Sequence, residues 1–285
     1  MAFSDSITRK SEFGGRLPET DHLIPLAPAA TDDREVTVYV KGFLARGESP
    51  ERFDHWLVGH RSLVETHGWS EAALGYHWDS GNLGGIAVPL ASGAKTAWDI
   101  YRMLRHARRV SPLSMAGWFL AEQGAVLSAR FVAQFVQASR QASMRADDLA
   151  KCLESLAADE RRVRVVAHSL GCRQVIEAAA LLPREQRPHE IHLFAPACLE
   201  SEVRDKLANL AREEAVVYFA GRDLVLETSF RVMSQGRAIG AAGLDGDYPG
   251  LRSCDVSQEF DFWVHTEYKN RFPRLIAQST SNCVE

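Results

Sequence analysis

The chain has 285 residues, 46% hydrophobic and 25% charged, with a formal net charge of −4. That balance is ordinary for a globular protein, and the basic surplus that drives nucleic-acid affinity is missing, which argues against a nucleic-acid partner. The cysteines (Cys152, Cys172, Cys198, Cys254 and Cys283) are odd in number and share no C-x-x-C spacing. Neither a disulfide framework nor a zinc knuckle is indicated, and free thiols in a reducing compartment are expected.

The opening MAFSDSITRKSEFGGRLPETDH has no apolar core of the signal-peptide kind. Residues 1–33 read as an N-terminal extension rich in Ser, Thr, Pro and charge. EVTVYVK (35–41) alternates Val36, Val38 and Val40 and reads as a strand. RFDHWLVGHRSLVET (52–66) carries apolar residues at helical spacing despite Gly59, and AALGYHW (72–78) reads as a second strand. From Lys95 to Ala158 the composition is helical, with a break at Ser111-Pro112. Its longest apolar run, Met115 to Val136, is interrupted by Glu122, Gln123 and Arg130 and is too polar to span a membrane. A cytoplasmic protein is expected.

Beyond 160 the pattern becomes regular. VRVVA (163–167), IHLFA (191–195), AVVYFAG (215–221) and LRSCDV (251–256) read as strands. Leu170–Leu182, residues 201–213, Leu226–Ile239 and Glu267–Ala277 read as helices, the last with Pro273 as a kink point. Near-continuous apolar strands alternating with amphipathic helices predict an α/β fold, a mostly parallel sheet of about six strands covered on both faces. The expected organisation is the 1–33 extension and a 34–285 domain, with 95–158 as a helical insertion or cap.

Ala167-His168-Ser169-Leu170-Gly171 has small residues two before and two after a serine. By accident such a pattern arises in about every second or third chain of this length, and Gly68-Trp69-Ser70-Glu71-Ala72 is another instance. Context separates them. A nucleophile elbow needs a strand entering and a helix leaving; Ser169 has both, whereas Ser70 precedes a strand. The competing explanation is a serine that caps the helix N-terminus. Alanine in the first position resembles the elbow of some bacterial lipases.

A serine hydroxyl needs a base to take its proton and a carboxylate to orient that base. With an elbow of this kind the chain order is serine, acid, histidine. After Ser169 only His189, His192 and His265 remain, and the first two come too early to leave an acid between. His265 is the candidate base. Asp223, the first carboxylate after the 215–221 strand, is the candidate acid, with Asp247 and Asp255 in reserve and Glu227 behind them. The oxyanion donors would be the backbone N–H of Leu170 and that of Phe43, which follows Gly42 at the end of the first strand.

With these parts in order, residues 35–280 resemble the α/β-hydrolase superfamily. Gly42-Phe43-Leu44, Tyr76-His77-Trp78-Asp79-Ser80, the 167–171 elbow, Gly221-Arg222-Asp223 and the His265 region are similar to the DUF726 family of hydrolase-like proteins. The resemblance implies an α/β-hydrolase fold with triad roles at Ser169, Asp223 and His265, and no substrate. Lys41 departs from the His or Asn that often precedes this glycine.

The leading expectation is a serine hydrolase of carboxylic esters, esterase- or lipase-like, acting through an acyl-enzyme on a small-molecule or lipid ester. Thioesterase, amidase or acyltransferase chemistry would use the same residues, and a non-catalytic binding module of the same fold is the alternative of another class. No cofactor or metal is implied. Peripheral membrane contact through the apolar 95–158 segment and the oligomeric state are left open.

Overall fold

The computed structural model describes residues 22–27, 33–43, 53–78, 125–260 and 264–282. Among them, seven strands form a single sheet: β1 (Leu23–Ala27), β2 (Glu35–Val40), β3 (Ala73–Tyr76), β4 (Arg162–His168), β5 (Glu190–Phe194), β6 (Glu214–Phe219) and β7 (Leu251–Asp255). Their spatial order is β1-β3-β2-β4-β5-β6-β7. All neighbours run parallel except β1 and β3. The longer helices are α1 (Asp54–His67), α2 (Ala125–Met144), α3 (Ala146–Ala158) and α4 (Leu170–Leu181). Three short ones, α5 (Glu200–Val203), α6 (Arg231–Ser234) and α7 (Ile239–Ala242), precede the terminal α8 (Val264–Asn282).

Val36, Val38 and Val40 are buried on one face of β2 and Thr37 and Tyr39 on the other, and Val163, Val165 and Val166 are buried beside them, because both faces of these central strands are covered. On one face α1 and α8 lie over Tyr39, His168, Phe194 and Tyr218, with Trp56 and Phe272 packed on Tyr39. On the other, Gln174 of α4 reaches the Tyr76 hydroxyl and the backbone oxygen of Arg145 between α2 and α3. This is the α/β-hydrolase fold. β2 leads away to β3 while β4 leads the other way to β5, so the order reverses between β2 and β4, where such sheets open a crevice at their C-terminal ends.

Gly59 in the middle of α1 has a packing reason. A Cβ there would lie 2.3 Å from Phe272 Cε1 and 3.0 Å from Pro273 Cγ, so its absence lets α8 close onto α1. Pro273 lies inside an α8 that runs unbroken to Asn282.

Several expectations are corrected. The expected sheet of about six strands has seven, the added one being β1, which lies within the segment read as an extension. It is short, half-buried and interrupted by Pro25, which has no N–H to give a ladder, and its register shifts between Pro25 and Ala27. The helix expected over 201–213 stops at Val203 and is followed by a tight turn at 204–206. Beyond it the backbone N–H groups bond to other loops instead of an i−4 ladder: Asn209 to Pro249 O at 2.6 Å and Arg212 to Pro188 O at 2.8 Å. The helix expected over 226–239 is a wide π-helical turn, Val225–Phe230, plus α6. It ends at Gln235 with φ 53°, and α7 starts separately, its Gly240 set against Ala195 where a Cβ would stand 2.3 Å from the backbone carbon. Within 95–158, residues 125–158 form α2 and α3, which divide at Arg145. Residues 95–124, with the expected break at Ser111-Pro112, fall outside the described residues.

Candidate active site

Ser169 follows the last residue of β4 and precedes the first of α4. Its backbone has φ 56° and ψ −124°, a left-handed conformation that a residue with a Cβ rarely adopts. The turn is pinned by Ser169 N donating to Phe194 O of β5 at 2.9 Å, while Ser169 O accepts from Cys172 N and Ala197 N at 3.1 and 3.2 Å. Close approach explains the small neighbours. A Cβ on Gly171 would lie 2.5 Å from Lys41 O, and one on Gly42 would lie 2.6 Å from Ser169 Cβ. Ala167 is fully buried in the sheet.

The Ser169 side chain makes no capping bond to α4. Its Oγ is instead 3.0 Å from Nε2 of His265, the second residue of α8. His265 Nδ1 lies 2.7 Å from Asp223 Oδ2. A carboxylate oxygen accepts, so Nδ1 carries the proton and Nε2 is left with the lone pair that receives the serine hydroxyl. Asp223 sits four residues beyond the end of β6 and is completely buried. Its other oxygen, Oδ1, accepts from Val225 N and Leu226 N at 3.1 and 3.2 Å. Those two bonds belong to the wide helical turn and hold the carboxylate in place.

The structure therefore brings Ser169, His265 and Asp223 together. The reserves lie elsewhere: Asp247 is exposed, Asp255 accepts from Ser257 N and Oγ, and Glu227 pairs with Arg237. His189 accepts from Val163 N near the opposite end of the sheet, and His192 bonds Tyr218 OH. Leu170, fully buried, opens α4 directly after the serine. The contact of Gly42 with Ser169 brings the chain leaving β2, and with it Phe43, to the same spot. Lys41 turns its ammonium onto the Phe53 ring at 3.6 Å, and its backbone oxygen accepts from Trp78 Nε1 at 2.9 Å. An aromatic chain runs from Phe43 to Phe135 of α2 and on to Phe230, with centroids 5.4 and 5.8 Å apart.

One neighbour of the site, His168, belongs to no expected role in the sequence, and its Nε2 reaches the backbone oxygen of His265. Its only signal was adjacency to the serine, which does not show where a side chain points. Among the described residues no group of three His, Cys, Asp or Glu side chains could hold a metal ion, and no helix is long and apolar enough to cross a membrane.

Fold and constellation together define an α/β-hydrolase-fold protein with a serine, a histidine and a buried aspartate in hydrogen-bonded series. In keeping with that class, residues 118–218, from α2 and the segment before it through β6, match the serine hydrolase family. No curated protein matches the chain. Among solved structures, an uncharacterised protein from Capnocytophaga ochracea is similar at 10% identity and a TM-score of 0.40, over 89% of this chain. The chain spans 59% of the length of that protein. YbtT, a type II thioesterase of the yersiniabactin pathway, is similar at 14% identity over 91% of this chain and 97% of its own, with a TM-score of 0.39. Esterase 2 of Thermogutta terrifontis is similar at 11% identity over 95% and 96%, with a TM-score of 0.36.

Proposed function

We propose that the protein is a serine hydrolase that cleaves carboxylic esters through an acyl-enzyme. The observation that carries this reading is the pair of contacts at His265: 3.0 Å to Ser169 Oγ and 2.7 Å to Asp223 Oδ2. In the proposed cycle Ser169 Oγ attacks the ester carbonyl carbon as its proton passes to His265 Nε2. Asp223 holds the imidazole and stabilises its cation. The N–H groups of Leu170 and Phe43 receive the oxyanion, which collapses as His265 returns the proton to the departing alkoxide. Water then repeats the sequence on the acyl-serine and releases the acid.

The positive φ of Ser169 and the burial of Asp223 favour this over the binding-module alternative. A scaffold gains nothing from a strained serine and a buried carboxylate aligned on one imidazole. Thioesters and amides would be handled by the same groups, and membership of the DUF726 family, which we also propose, would add no substrate. The test is fluorophosphonate labelling of wild type beside Ser169→Ala, followed by p-nitrophenyl esters from C2 to C16 and an acyl thioester. Labelling that disappears in the variant is the expected result. A folded wild type that never labels would overturn the reading.

A further inference from the structure

Two histidines meet where β4 ends. His168 directs Nε2 at the backbone oxygen of His265, 2.8 Å away, and the two rings lie 4.8 Å apart, centroid to centroid, at 47°. The oxygen can only accept, so His168 Nε2 carries a proton. Trp56 of α1 and Tyr268 of α8 flank the same ring at 6.4 and 6.1 Å. Burial, and next the neighbouring His265, hold His168 well below the usual histidine range, so near neutral pH its proton stays on Nε2 and Nδ1 has none.

His168 is joined by a peptide bond to Ser169. One side chain and one hydrogen bond therefore link the nucleophile's backbone to the base's backbone directly, by a route separate from the reacting atoms. The contacts of the His265 ring with Ser169 and Asp223 orient the imidazole, but they do not fix the depth at which α8 delivers it. We infer that His168 is a positioning residue that ties the first turn of α8 to the nucleophile elbow through the carbonyl of His265. This role rests on the triad reading above.

The test compares wild type, His168→Leu and His168→Gln. Leucine keeps bulk without a donor, and the glutamine amide reaches about as far as Nε2. Each protein is assayed for fluorophosphonate labelling rate, for kcat and KM on p-nitrophenyl acetate, and for the downfield proton resonance of His265 Nδ1–H. His168→Leu should lose about 10- to 100-fold in kcat and labelling rate, with KM within about twofold. Its downfield resonance should shift or broaden, and His168→Gln should restore most of both. Equal rates and an unmoved resonance in all three overturn the inference. A His168→Gln as slow as His168→Leu also overturns it, since ring packing would then be what matters. A wild type that never labels, with a resonance lost in His168→Leu and restored in His168→Gln, sinks the hydrolase reading while the tether stands. Should His168→Leu not fold, His168→Asn replaces it, because its amide stops one bond short of the carbonyl.

Discussion

Ser169 bears strain that only its surroundings sustain. At φ 56° its backbone is held by β5 on one side and by Gly42 and Gly171 on the other, each glycine standing where a Cβ would collide. Gly42→Ala would press on Ser169 Cβ and come within 3.3 Å of its Oγ. The expected outcome is a loss of about 100-fold in kcat, with far-ultraviolet dichroism preserved, read on whichever ester proves best. Asp223→Asn leaves the two backbone bonds to Val225 and Leu226 possible but favours the wrong imidazole tautomer. A fall of about 10⁴-fold in kcat is expected, and wild-type turnover in this variant would remove Asp223 from the relay. At this scale the sequence was most legible. Chemistry-bearing residue types are few, and their order along the chain left one histidine and one leading carboxylate. His168 was not legible, since its role depends on a carbonyl 97 residues away.

The elements divide by how they are stabilised. β2, β4, β5 and β6 are read from their own residues because central strands are apolar on both faces. β1 is an edge strand with a proline, and it owes its existence to pairing with β3. Residues 201–213 have helical composition, yet their amides find partners at Pro249 and Pro188, so tertiary bonding overrides propensity. The pairing of α1 with α8 is the consequential contact, since α8 carries His265. Gly59→Ala would place a methyl 2.3 Å from a rigid Phe272 ring. A stability loss of about 1–3 kcal/mol is expected in urea denaturation, accompanied by lower activity as α8 moves outward. A variant as stable as wild type would show that α8 docks more loosely than its packing implies.

At the scale of the whole molecule, one charged cluster among the described residues lies at the start of the central strands, away from the candidate site. Glu190 accepts from Arg162 Nη2 at 2.5 Å and from Arg164 Nε at 2.6 Å, Arg162 also pairs with Glu213, and Arg164 stacks on Trp69 at 3.9 Å. Burial alone would raise the Glu190 carboxyl, but the His192 ring 3.9 Å away and the hydrogen bonds from Arg164 and Arg162 outweigh it and hold the group well below the usual carboxylate range. Burial lowers His60, His168, His189 and His192 below the ordinary histidine value. Both shifts have the same sign for stability. As pH falls through about 6.5 the unfolded chain binds protons at these histidines more readily than the folded molecule does. Below about 4.3 it does so at Glu190 as well. Stability should therefore be flat above about pH 7 and decline in two stages toward acid. Urea midpoints from pH 8 to pH 4 would check this, and Glu190→Gln should remove much of the second stage. A midpoint that rises on acidification would contradict the assignment.

By itself the sequence determined the alternation of strands and helices, the elbow around Ser169 and the candidates Asp223 and His265. These follow from local periodicity, from small residues at a tight turn and from the scarcity of suitable side chains. Tertiary structure alone decided that Ser169 faces an imidazole instead of capping α4, that Leu23–Ala27 completes the sheet, and that His168 grips the main chain of the base. Each of these depends on a contact between residues far apart in the chain, and residue type and spacing do not encode which distant groups will meet.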